Sequence, residues 1–122
     1  MLAYATVGTN DLPKALAYYD ALLADLNPQV VMEEEGNMRV YGGGTGAMIM
    51  VTKPYDGKAA TPGNGTMLAL SPGSKEAVDA IHAKAMELGS ADEGAPGDRG
   101  QGFYGAYFRD LDGNKICAFH LG

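Results

Sequence analysis

One pattern runs through this chain twice. A short β-prone stretch, Tyr4-Ala5-Thr6-Val7-Gly8, leads to a helix-start signal at Asn10-Asp11 and then to apolar residues at helical spacing. An offset of 63 residues restarts the order, setting Met67 against Tyr4, Ile81 against Tyr18 and Met86 against Leu23. The likeness is in pattern and hardly in identity. A short helix with one apolar stripe cannot bury that stripe alone, so each repeat must supply a sheet for its helix to lie across. The expectation is an α+β chain of two βαβββ modules, forming a cup-shaped mixed sheet with the helices on its convex side.

In the first module the spacing predicts a helix over residues 12–25. Pro13 is tolerated in its first turn, and Leu12, Leu16, Tyr19, Leu22, Leu23 and Leu26 share a face. Asn27-Pro28 stops it. Strands are expected at 29–32, 38–41 and 47–52. Glu33-Glu34-Glu35-Gly36-Asn37, a solvated turn, separates the first two, and Gly42-Gly43-Gly44-Thr45-Gly46 the next two. Residues 55–65 lack periodicity and are rich in Pro and Gly, so they read as a linker between module one (about 1–54) and module two (about 66–122). Module two has a strand at 66–71, then a helix over 75–88 capped by Ser74. Val78, Ile81, Ala85 and Leu88 form that helix's apolar face. A glycine-rich loop at 94–102 precedes strands at 103–109 and 115–121, joined by the hairpin turn Asp110-Leu111-Asp112-Gly113-Asn114. A middle strand near 90–93 is weakly signalled.

Composition removes several classes of function. Nine Lys+Arg against 15 Asp+Glu give a net charge of −6, which excludes an electrostatic nucleic-acid binder. With 46% apolar and 20% charged residues the chain has enough apolar surface to build a core. No apolar run reaches the roughly 18 residues of a membrane span. The first residues show no secretory leader, and a single cysteine cannot form an intrachain disulfide, so a cytoplasmic location is expected. The 18 glycines have no triplet period and read as turns between short strands.

Particular residues go further. Val7-Gly8-Thr9-Asn10-Asp11-Leu12 is followed by Ala17-Tyr18-Tyr19-Asp20-Ala21-Leu22-Leu23. Module two carries Pro62-Gly63-Asn64-Gly65-Thr66, then Glu76-Ala77-Val78-Asp79-Ala80-Ile81-His82, then Arg109-Asp110-Leu111-Asp112-Gly113-Asn114-Lys115-Ile116. In order and spacing these resemble the vicinal oxygen chelate superfamily, which contains glyoxalases, extradiol dioxygenases and the bleomycin- and fosfomycin-resistance proteins. The resemblance covers nearly the whole chain, with Leu111 where the family usually has proline. It implies the paired βαβββ fold, a cup-shaped site and a homodimer.

Enzymes of that family hold a divalent metal with His, Glu or similar side chains at four positions facing the cup, and the metal stabilises developing oxyanion or enediolate charge. The resemblance sets Tyr4 at the first position, a residue between Met48 and Met50 at the second, Met67 at the third and Cys117 at the fourth. This set is soft and mostly neutral, whereas such metals take imidazole and carboxylate. The expected site therefore has no metal and no cofactor. It is an apolar, thioether-lined cup for an organic ligand. Alternation puts Tyr4 with Thr6, Met48 with Met50, Met67 with Ala69, and Cys117 with Phe119 on common faces. In the family register these faces point into the cup. Arg99 is expected over its mouth, facing an anionic ligand.

The remaining polar residues have plainer readings. His82 flanks the buried stripe beside Ile81 and reads as a packed histidine. His120 alternates away from Cys117. With no His on its face, Cys117 reads as a buried, inert thiol. The chain is thus read as a dimeric glyoxalase/bleomycin-resistance-like protein that binds a small organic molecule without the family's metal. Its acidity is compatible with a cationic ligand of the kind bleomycin-resistance proteins sequester. Two other readings fit the same residues. One is a glyoxalase-like lyase or isomerase with noncanonical ligands. The other is a dimerisation subunit whose vestigial cup is filled by its own Met and Phe side chains.

Overall fold

The computed structural model describes residues 1–44 and 46–122. Thr45, in the expected connection between the strands at 38–41 and 47–52, lies outside the described residues. The chain divides into two units, Met1–Pro62 and Gly63–Gly122.

The first unit runs β1 (Tyr4–Gly8), α1 (Leu12–Leu22), β2 (Gln29–Glu34), β3 (Met38–Gly42) and β4 (Met48–Thr52). Its sheet has the order β1-β4-β3-β2, with β1 parallel to β4 and the other pairs antiparallel. Asp11 caps α1, its side chain accepting the Lys14 backbone N–H at 3.2 Å. The helix buries Leu12, Ala15, Tyr18, Tyr19 and Leu22. Val7 and Val51, paired in register, supply buried sheet residues, and Val51 is fully buried.

The second unit repeats the plan with β5 (Met67–Leu70), α2 (Lys75–Glu87), β6 (Ala91–Asp98), β7 (Phe103–Arg109) and β8 (Lys115–Leu121), in the order β5-β8-β7-β6. Ser74 caps α2 by accepting the Ala77 N–H at 3.1 Å. Val78 and Ala85 of the helix, with Ala106, Phe108, Ile116 and Ala118 of β7 and β8, have no exposed surface. The fold class is α+β, two βαβββ modules with a mixed four-stranded sheet in each. Among the described residues no helix is long and apolar enough to cross a membrane.

Three local expectations need correction. The first helix ends at Leu22 instead of continuing to 25. A single 3-10 turn, Ala24–Leu26, follows, closed by Asn27 in the left-handed region at φ 50°. The tighter turn takes Leu26 off the buried stripe and leaves it 37% exposed. The acidic run is not all turn. Glu33 and Glu34 extend β2 and pair with Arg39 and Met38. The glycine-rich stretch from 94 is strand as far as Asp98. Its pairing with β7 breaks register twice, which accommodates Gly94 and Pro96 on an edge strand of low intrinsic propensity. The stretch read as a linker spans the division between the two units, and its first part is held to the first unit. The Asn10 side chain accepts the Ala60 N–H at 2.7 Å and donates to the Ala60 carbonyl at 3.2 Å.

Candidate functional site

In each unit the sheet face away from the helix is the chemically open one. On the first sheet, register sets Tyr4 opposite Met48 and Thr6 opposite Met50. Val40 also pairs with Met50, and Met38 with Thr52. The Thr6 hydroxyl lies 4.0 Å from Met50 Sδ. A cleft of about 820 Å³ opens over this face. Thr6, Met38, Met50 and Thr52 form its floor, and residues from Lys53 to Thr61 form a wall. Glu34 stands at its margin, its Oε1 accepting from Asn37 Nδ2 at 3.1 Å. Of the four expected residues in this unit, Thr6 and Met50 line the cleft, while Tyr4 and Met48 share the face but not the lining. Tyr4 is half exposed.

The other five expected residues belong to the second unit. Ala69 pairs with Cys117, and Cys117 with Tyr107. Cys117 is 1% exposed. Burial pushes its thiol above the ordinary cysteine value, although the hydrogen bond to Tyr107 and the nearby Arg99 and Lys115 charges pull the other way. The Tyr107 hydroxyl is likewise pushed up, by burial first and then by Cys117. Neither group is ionised near neutral pH, so this thiol is not an activated nucleophile. Phe119 stacks on Phe103, with centroids 5.2 Å apart and ring planes at 3°. Arg99 Cζ sits 5.5 Å from the Tyr107 ring centroid, and Lys115 Nζ 5.6 Å from it. Met67 is 42% exposed at the start of β5. The structure therefore groups Arg99, Cys117 and Phe119 around Tyr107 and Phe103.

Tyr107, Lys115, Glu34 and the wall at 53–61 were not among the expected residues. Alternation along β7 from Phe103 through Gly105 to Tyr107 carries a signal for Tyr107. Nothing in the 53–61 stretch is periodic, so its place over the sheet depends on contacts distant in sequence, above all the pair of Asn10 bonds to Ala60.

His82 and Asp92 serve the fold. His82 is nearly buried on α2, its Nε2 is 3.0 Å from Asp92 Oδ1 on β6, and its ring meets Phe108 edge-on. His120 pairs with Tyr104 on the face opposite Cys117.

The repeat also resolves which residue matches Cys117. Thr6 pairs with Met50 as Ala69 pairs with Cys117. Met50, not Met48, is therefore the register counterpart of Cys117. The four matched positions are Tyr4, Met50, Met67 and Cys117. Among the described residues no three His, Cys, Asp or Glu side chains gather as a metal site. In each unit the matched residues, Tyr4 and Met50 in the first and Met67 and Cys117 in the second, supply neither the imidazole nor the carboxylate that such metals take.

Comparison with known proteins agrees with this architecture. The model of the Glyoxalase/Bleomycin resistance protein/Dioxygenase superfamily matches residues 1–118. A glyoxalase/bleomycin resistance protein from Albidiferax ferrireducens is 38% identical, with a TM-score of 0.88, over 100% of this chain and 99% of that one. A lactoylglutathione lyase from Agrobacterium tumefaciens shares the fold at 19% identity and a TM-score of 0.72, over 98% of this chain and 92% of its own. TioX from Micromonospora shares it at 14% identity and a TM-score of 0.72, over 100% and 99%. No curated protein matches the sequence.

Proposed function

The chain belongs to the Glyoxalase/Bleomycin resistance protein/Dioxygenase superfamily, and from that premise we propose that it binds a small organic molecule on the open faces of its sheets without the family's metal. The observation that carries this reading is the side-chain set at the four register-matched positions, Tyr4, Met50, Met67 and Cys117, which offers no imidazole and no carboxylate. An apolar, polarisable floor with a few polar groups at its margin is the usual make-up of a small-molecule site. The cleft of the first unit combines the two kinds of group, with Met38 and Met50 beside Thr6 and Thr52 in its floor and Glu34, Lys53 and Asp56 among the polar residues around it. The family resemblance supports a homodimer, and the single cysteine a reducing, cytoplasmic setting.

The test is elemental mass spectrometry of untagged protein after incubation with zinc, nickel and manganese salts and desalting, beside a native mass. The expected result is a dimer with no stoichiometric metal. A transition metal bound once per subunit, with chelator-sensitive turnover of the methylglyoxal–glutathione hemithioacetal, would overturn it in favour of a lyase.

A further inference from the structure

Three glycines on one face of the second sheet each leave room for a side chain from elsewhere. A Cβ on Gly97 would lie 2.8 Å from Arg99 Nη1, and one on Gly94 would lie 3.2 Å from Arg99 Nη2 and 3.1 Å from the Tyr107 ring. A Cβ on Gly105 would lie 2.6 Å from the Phe103 ring. The guanidinium thus lies down over β6, and the Phe103 ring over β7, in space that a side chain at these positions would contest. Register joins them into rows. Gly97 pairs with Gly105 and Gly105 with Phe119, so Arg99, Phe103 and Phe119 follow one another across the sheet. Two residues along, roughly 7 Å away, Gly94, Tyr107 and Cys117 form the next row.

Charge on this face runs against the protein as a whole. The chain carries a net −6, yet Arg99 and Lys115 both lie against the Tyr107 ring. Among the described residues neither forms an ion pair with a carboxylate. Arg99 donates to the Ala95 carbonyl at 2.6 Å, and Lys115 contributes to the field at Glu93, whose carboxylate is bonded to Arg109. A guanidinium seated beside the row of the stacked aromatic pair, and an ammonium against the same Tyr107 ring, give this face cationic donors next to an aromatic platform.

We propose that this face is a receptor for a flat organic anion. The carboxylate or phosphate of such a ligand takes Arg99 and Lys115, and its aromatic body lies against Phe103 and Phe119. The inference rests on the reading of the protein as a small-molecule binder and names the ligand class for the second unit.

Two dyes of nearly one shape separate the contributions: anilinonaphthalene sulfonate, which is anionic, and phenylnaphthylamine, which is neutral. Binding is followed by fluorescence on the full-length protein. Arg99→Gln and Lys115→Gln are each expected to weaken the anionic dye about tenfold, the value of one charge-assisted hydrogen bond, and to leave the neutral dye unchanged. Gly97→Ala keeps every charge and displaces the guanidinium, so it should weaken the anionic dye as well. Added salt should weaken the anionic dye alone. Displacement by benzoate and by phenyl phosphate then shows which anion is preferred. Equal losses for both dyes, or no loss in any variant, overturn the anion receptor and leave the broader binding reading standing. If neither dye binds the unmodified protein, both fall. Unchanged melting temperatures confirm that the variants remain folded.

Discussion

The Asn10 side-chain amide holds both backbone groups of Ala60, accepting its N–H at 2.7 Å and donating to its carbonyl at 3.2 Å. Ala60 also packs beside Gly8, where an added Cβ would come within 3.0 Å. One exposed side chain next to a helix cap thereby fixes the wall of the first unit's cleft. Asn10→Ala should release that wall at a cost of about 1 to 2 kcal/mol, two neutral hydrogen bonds in water. Trypsin cleavage after Lys58, followed by mass spectrometry, should become faster than in the unmodified protein. Equal cleavage rates would mean that something other than Asn10 holds the segment.

The hairpin between β7 and β8 is organised by one buried carboxylate. Asp110 Oδ1 accepts the backbone N–H groups of Asp112 and Asn114, each at 2.9 Å, and Oδ2 accepts Asn114 Nδ2 at 2.9 Å. Asp110→Ala removes the acceptor and leaves buried donors unpaired, so urea unfolding should show a loss of about 2 to 3 kcal/mol. A loss as small as that of a typical surface substitution would show that solvent takes over these donors.

Acid should weaken the second unit through two neighbouring carboxylates. The hydrogen bond to His82 holds Asp92 below the ordinary carboxylate range, and Arg109 does the same for Glu93. A carboxylate depressed in the folded state contributes stability that is complete above its unfolded pKa and is lost as pH falls through its folded pKa. Melting temperature should therefore decline as pH drops below about 4. Asp92→Asn should show a shallower decline, and parallel curves for the two proteins would remove Asp92 from the account.

Gly105→Ala tests the aromatic pair. The new methyl would occupy the Phe103 ring position, so the ring must swing off Phe119. A cost of about 1 to 3 kcal/mol is expected from overpacking. Proton NMR should show the Phe119 ring resonances moving toward unstacked values. Unmoved resonances would mean that the sheet yields instead of the ring.

Much of this molecule is legible in its sequence because its signals are local. Asp11 and Ser74 cap their helices, the stripes through Leu12, Tyr19 and Leu22 and through Val78, Ile81 and Ala85 are buried, and Gly113 takes φ 89° in the hairpin turn. The strands Phe103–Arg109 and Lys115–Leu121 run where alternation puts them. What is not legible depends on distant partners. Strand β6 exists because β7 offers it a ladder, not because Gly94, Pro96 and Gly97 favour extension. The seat of Arg99 needs Gly94 opposite Tyr107, a pairing set by the two register shifts between β6 and β7 and not by any periodicity in the residues themselves.

The irregularity of β6 has a consequence for how the chain behaves among its own copies. An outer strand with a straight row of free backbone groups is a template on which another molecule can add a strand and begin an aggregate. Here that row is broken twice in register, Pro96 removes one donor, and Asp92, Glu93 and Asp98 bring negative charge to the same strand. The stretch of sequence that looks least like a strand is therefore an edge poorly suited to nucleate fibres.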